Sequence, residues 1–257
     1  MISSNNKIAK KNGMWWITIL LVAMFAYVFG LITGKYQIFP YRQIKNLKNV
    51  VYAGKVYADN KNSIKAGKEK NFGNYYFDKK SFFKVNGSKA DVVMIGDSIT
   101  DDAEWNELFS NISILNRGIA GDTTKGVLNR MDYIYSTNAK KAFIMIGVND
   151  LGKNVSMDEI YSNYEKIVSQ LKEHGIMPYI QSVLFLGEKH ANKNKDVLKL
   201  NLRLKELSER ENIVFIDLNK VLSENGKLKK SFSSEDDIHL NGDGYSVWKN
   251  SITKYIQ

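Results

Sequence analysis

The 257-residue sequence predicts a single three-layer α/β/α domain on a mostly parallel five-stranded sheet, preceded by one N-terminal transmembrane helix. Three observations lead there. From residue 91 onward short apolar runs alternate with helix-like stretches, the pattern of a parallel sheet covered on both faces. Residues 12–34, "NGMWWITILLVAMFAYVFGLITG", carry no charge and approach the ~20 residues a helix needs to cross a bilayer. A chain of this length with 44% hydrophobic residues buries one core, so one domain is the default.

Taken in order, residues 1–13 are a short basic tail and 14–34 the anchor. Trp15 and Trp16 mark one edge of the span and Tyr36 the other, where amphipathic aromatics favour the interface. A cleaved signal peptide would have an apolar core of roughly 7–15 residues and a small-x-small site at its end. Here "AMFA" (23–26) lies in the middle of the run, which favours a retained anchor. Residues 35–90 form a basic stalk whose pieces "NVVYAGKVYA" and "YYFDKKSFF" suggest partial order, packed on the domain at its far end.

The domain proper is expected over 91–257. Its strands are "DVVMIG" (91–96), "ISILNRG" (112–118), "KAFIMIG" (141–147), "MPYIQSVL" (177–184) and "NIVFIDL" (212–218). Helices are expected near 102–110, 123–136, 156–174, 193–211 and 241–256. In the third, Ile160, Tyr164, Ile167, Val168 and Leu171 recur at helical spacing, and Gly175 and Pro178 end it.

The net charge of +10 resembles a nucleic-acid signal until it is divided. Residues 1–90 hold 16 Lys/Arg against 3 Asp/Glu, whereas residues 91–257 hold 21 against 24. A nucleic-acid binder concentrates its positive charge on the folded module, so none is expected as partner. With no cysteine, disulfides, thiolate metal sites and a cysteine nucleophile are excluded. No Gly-rich phosphate loop with a Lys and no His-x-x-x-His pair occurs, so neither cofactor nor metal is expected.

The first strand runs straight into a polar turn, "VVMIGDSIT" (92–100). Asp97 and Ser98 could simply cap the next helix, or Ser98 could be presented at the strand's end to react. Position 100 is Thr, so the Gly-x-Ser-x-Gly elbow is absent. Three more blocks follow: "NRGIAGDTT" (116–124), "GVND" (147–150) and "DDIHLNGDGY" (236–245). Together, and in this order, the four blocks resemble the SGNH hydrolases, also called the GDSL esterase/lipase superfamily, over about residues 91–257. "GDSI" here replaces the more familiar Gly-Asp-Ser-Leu.

That resemblance implies an SGNH, flavodoxin-like domain in which Ser98 is the nucleophile, His239 its base and Asp236 the acid that orients the base. It also implies an oxyanion hole from the N–H groups of Ser98 and Gly121 and the side-chain amide of Asn149. The chemistry suits these residue types: a serine hydroxyl needs an adjacent base, and the imidazole needs a carboxylate to hold its tautomer. Asp237 is the rival acid, one place off the Asp-x-x-His pattern. Of the other histidines, His174 ends a helix, and His190 lies in a polar loop that could touch substrate. Ester hydrolysis is what the resemblance implies; with no long apolar lid in the sequence the expected esters are short and acetyl-like, and a membrane-tethered domain makes acylated envelope polysaccharide the candidate substrate. The uncharged run and the Lys/Asn/Ile-rich composition give the expected setting, a bacterial cell membrane, single-pass through 14–34, with the catalytic domain extracytoplasmic. An O-acyltransferase acting on a glycan, a lysophospholipase and an inactive glycan-binding scaffold are the alternatives. The flanking lysines, read by the positive-inside rule alone, slightly favour the opposite orientation, although long domains translocate despite such charge.

Overall fold

The apolar runs become the strands of one parallel sheet in a computed structural model of the protein, in which residues 20–29, 31 and 72–256 are described. The strands are β1 (Val92–Gly96), β2 (Ile114–Gly118), β3 (Lys141–Met145), β4 (Met177–Gln181) and β5 (Val214–Ile216). Their order is β2-β1-β3-β4-β5 and every pairing is parallel. Side chains alternate between the two faces, as a pleated strand requires. Val93, Ile95, Ala142 and Ile144 enter one core layer, and Val92, Met94, Phe143 and Met145 enter the other.

Ten α-helices within residues 72–256 complete the layers. Before the sheet comes α1 (Asn74–Val85), and α2 (Ser98–Asp101) and α3 (Trp105–Leu108) follow β1. Then come α4 (Thr124–Leu128), α5 (Met131–Tyr135), α6 (Val148–Gly152), α7 (Met157–Glu173), α8 (Asn194–Arg210), α9 (Asn219–Leu222) and α10 (Gly242–Ile256). The buried stripe of α7 is the expected one, and Ser156 caps it by accepting from Glu159 N–H (3.2 Å). On the opposite face Trp248 of α10 meets Trp105 edge to face at 4.9 Å and donates to Gln181 (2.6 Å). A two-stranded hairpin, Ser223–Glu224 with Lys227–Leu228, precedes α10.

Two expected helices are cut differently. The one near 102–110 begins instead at Ser98, because Asp97 accepts from Ile99 N–H (3.1 Å) and starts a short turn there. The one over 123–136 breaks at Arg130, whose backbone leaves helical geometry (φ −135°, ψ 18°) while its guanidinium turns inward.

The chain divides into two compact units, Met1–Lys70 and Asn71–Gln257. The second includes α1, which lies within the segment read as stalk. Within the first, residues 20–29 and 31 are helical and exposed. Among the described residues no helix is long and apolar enough to cross a membrane. The rest of the anchor expected over 14–34, the 1–13 tail and the stalk up to residue 71 lie outside the described residues.

Candidate active site

In a sheet of order 2-1-3-4-5, chain crossovers leave on opposite sides of β1, and ligands bind beyond the carboxyl ends at that switch point. The register makes the ends level: Gly96 of β1 pairs with Gly118 of β2 and with Met145 of β3. The residues that follow these three ends carry Ser98, Gly121 and Asn149. Topology alone therefore gathers three sequence-distant blocks on one edge.

The fourth block arrives from the segment before α10. His239 Nε2 lies 2.8 Å from Ser98 Oγ, and His239 Nδ1 lies 2.5 Å from Asp236 Oδ2. An ionised carboxylate only accepts, so Nδ1 carries the proton and Nε2 is left to accept from the serine hydroxyl. Asp236 Oδ1 also accepts from the N–H groups of Ile238 (2.9 Å) and His239 (3.0 Å). Partial burial works against its ionisation, but the hydrogen bonds from His239 and Ile238 outweigh it and hold the carboxyl down at about 2. The loop is pinned by Ser234 N–H donating to His239 O (2.8 Å), and Tyr245 of α10 donates to Ile99 O (2.9 Å), tying it to the turn of Ser98.

Gly121 sits in a left-handed conformation (φ +76°) that favours glycine, at the tip of the turn after β2. Ile119 N–H donates to Gly96 O (3.2 Å), fastening this turn to the end of β1. Asn149 Nδ2 donates to Asp122 O (3.0 Å), which fixes the amide and leaves its second N–H available. Lys153 Nζ donates to Gly121 O (3.0 Å). Among the described residues, the N–H groups of Ser98 and Gly121 have no protein acceptor. The arrangement is therefore a hydroxyl, an imidazole and a carboxylate in series beside uncommitted amide donors.

Beneath the turn lies a buried polar network. Arg130 Nε pairs with Asp122 Oδ2 (2.9 Å), both side chains fully buried, and its Nη2 donates to Gly96 O (3.2 Å). Asp150 accepts from Thr124 N–H (3.0 Å) and Oγ1 (2.6 Å). Burial pushes Asp97 up to about 7 and Asp150 to about 6, and raises Asp122 despite its arginine. Asp122 and Asp150 belong to the recognised blocks, but no sequence signal marks Arg130 as their partner.

Asp237, the rival acid, takes partners other than His239. Only 3% exposed and at φ +64°, it accepts from Lys189 N–H (3.1 Å) and pairs with Lys230 Nζ (2.9 Å). Its carbonyl accepts from Gly187 N–H (2.7 Å), and a Cβ on Gly187 would lie 2.7 Å from that of Asp237. Asp237 thus clasps the 3₁₀ turn Glu188–Lys193, which carries a half-buried His190. His174 is remote from this edge: its Nδ1 donates to Gln170 O (2.8 Å) and its ring stacks on Tyr135.

A serine, an imidazole and an acid joined in this way at a sheet edge are the constellation of the serine hydrolases. The model of the GDSL-like Lipase/Acylhydrolase family matches residues 94–247, and the chain belongs to that family. N-acylneuraminate cytidylyltransferase of Streptococcus agalactiae serotype V is 27% identical over 183 residues, 71% of this chain and 43% of the relative. The chain thus spans less than half the length of that relative. The human platelet-activating factor acetylhydrolase IB subunit alpha2 is 28% identical over 163 residues, 61% of this chain and 71% of the relative. Among solved structures, a Streptococcus pneumonia protein provisionally assigned as a platelet activating factor superposes with a TM-score of 0.65 at 25% identity. That match covers 73% of this chain and 94% of the other.

Proposed function

We propose that the protein is a serine esterase that removes short, acetyl-like acyl groups from hydroxyls of cell-envelope glycans. The observation that carries the reading is the unbroken series Ser98–His239–Asp236, with contacts of 2.8 and 2.5 Å. Ser98 Oγ attacks the ester carbonyl as its proton passes to His239 Nε2, and Asp236 steadies the imidazolium. The N–H groups of Ser98 and Gly121 and the amide of Asn149 receive the oxyanion, each donor contributing roughly 2.7–4 kcal/mol. The imidazolium then protonates the leaving alkoxide, giving the alcohol and an acyl-enzyme. Water, deprotonated by His239, attacks the acyl-enzyme, and the collapsing intermediate releases the acid and returns the proton to Ser98.

The acetyl preference is supported by the acetylhydrolase relative, and the carbohydrate reading by the relative that acts on an N-acylneuraminate. The uncharged run over 14–34 supports a membrane tether, with the hydrolase domain outside the cell, where acylated envelope polymers are met. In the test, the protein is incubated with envelope polysaccharide and with aryl esters of increasing chain length, and released acid is measured. Acetate release abolished by Ser98→Ala, with kcat/KM falling from acetyl to about ten carbons, is the expected result, because the sequence offers no long apolar insertion to cover a long chain. Rising kcat/KM with chain length points to a lysophospholipase, and acyl transfer to an added sugar points to an O-acyltransferase. Unchanged turnover in folded Ser98→Ala overturns the nucleophile assignment.

A further inference from the structure

The turn that carries Gly121 is held from the outside by α1, an element with no place among the four recognised blocks. The junction is Asp101, one helical turn after Ser98. Its Oδ2 accepts from Ala120 N–H (3.3 Å) and from Tyr75 Oη (2.7 Å), and its Oδ1 pairs with Lys79 Nζ (2.6 Å). The Asp101 side chain is 5% exposed, so both α1 partners close over it. Burial works against the charge on Lys79, yet contact with Asp101 more than offsets this and raises its pKa. Apolar contacts fix the helix in place: Tyr76 and Phe83 pack with Ile119, and Tyr76 Oη donates to Gly126 O (2.8 Å).

We propose that Tyr75, Lys79 and Asp101 are positioning residues, through which α1 holds the Ala120–Gly121 segment in the geometry that receives the oxyanion. The inference rests on the esterase reading, specifically on Gly121 N–H as an oxyanion donor. Two physical effects follow from the contacts. Donors stabilise a developing charge only if they are aimed before it forms, and small misplacements cost large factors in rate. A carboxylate held against the residue next to the oxyanion donor would also oppose negative charge there, and Lys79 and the Tyr75 hydroxyl balance it. A purely structural helix would need only its apolar face; this one adds a cation and a hydroxyl aimed at a single carboxylate bonded to the turn.

The test uses the full chain with Tyr75→Phe, Lys79→Met, Lys79→Arg and Asp101→Asn, assayed on an aryl acetate with Ser98→Ala as control. Tyr75→Phe, Lys79→Met and Asp101→Asn should each lower kcat by roughly 3–30-fold with KM little changed, the signature of support given only in the transition state. Lys79→Arg should retain most activity. Inhibition by a trifluoromethyl ketone, which forms a tetrahedral adduct on Ser98, should weaken in proportion to kcat/KM, a readout that mere loosening of the fold would not track. Tyr75 is 47% exposed, so Tyr75→Phe keeps the test decisive even if Asp101→Asn fails to fold. Wild-type kcat in the folded variants, or a raised KM at unchanged kcat, would overturn the proposal. Turnover by Ser98→Ala would instead overturn the esterase reading beneath it.

Discussion

The Asp236 side chain is 46% exposed and holds an imidazole, while the neighbouring Asp237 points inward and holds two backbone segments together. The two should therefore fail differently. Asp236→Asn removes the charge that steadies the imidazolium and should lower kcat by roughly 10–10⁴-fold with an unchanged melting temperature. Asp237→Asn keeps a residue type that tolerates the left-handed backbone but loses the ion pair to Lys230. It should chiefly lower the melting temperature, and Asp237→Ala should lower it further. Equal effects of the Asp236 and Asp237 substitutions on kcat would contradict this division. Asp97 offers a pH test. Burial raises its carboxyl to about 7, so the native state holds this proton more tightly than the unfolded chain does. The resulting stability is fully present below ~pH 4 and is lost as pH rises through about 7. Asp97→Asn can still accept from Ile99 N–H and should flatten the fall in urea midpoint between pH 5 and 7.5. An unaltered slope would assign that dependence elsewhere.

Among the elements, the strands were legible as short apolar runs, because both faces of the sheet are covered, and α7 by the period its one-sided burial imposes. Ile160, Tyr164, Ile167, Val168 and Leu171 occupy the inner face they were expected to. What stayed hidden depends on contacts between distant residues. The split at Arg130 follows from a buried partner eight residues back, and α1 reads as stalk because its face is short and its partners, Ile119 and Asp101, lie beyond β1. The motif residues were legible as chemistry, whereas the network beneath them was not, since a lone arginine inside a helix pattern carries no sign of burial. That network should be costly to break from one side. Arg130→Met leaves Asp122 buried without its cation and should cost about 3–5 kcal/mol in denaturant unfolding, much of it recovered when Asp122→Asn is added. Strict additivity of the two substitutions would show that they do not act as a pair.

At the scale of the whole molecule, the charge division sets the basic residues 1–90 apart from residues 91–257, which are mildly acidic. If the tether and orientation proposed above hold, protease added to intact cells or spheroplasts should degrade the domain, and protection until lysis would place it in the cytoplasm. The two groups in contact at the site, Ser98 and His239, are 141 residues apart in sequence. All five sheet strands end by Ile216, before Asp236 and His239 have been synthesised. A nascent chain halted in that interval could form its sheet and present its serine, yet would have no base to activate it. Esterase activity would thus switch on only once Asp236 and His239 have been made and α10 has docked.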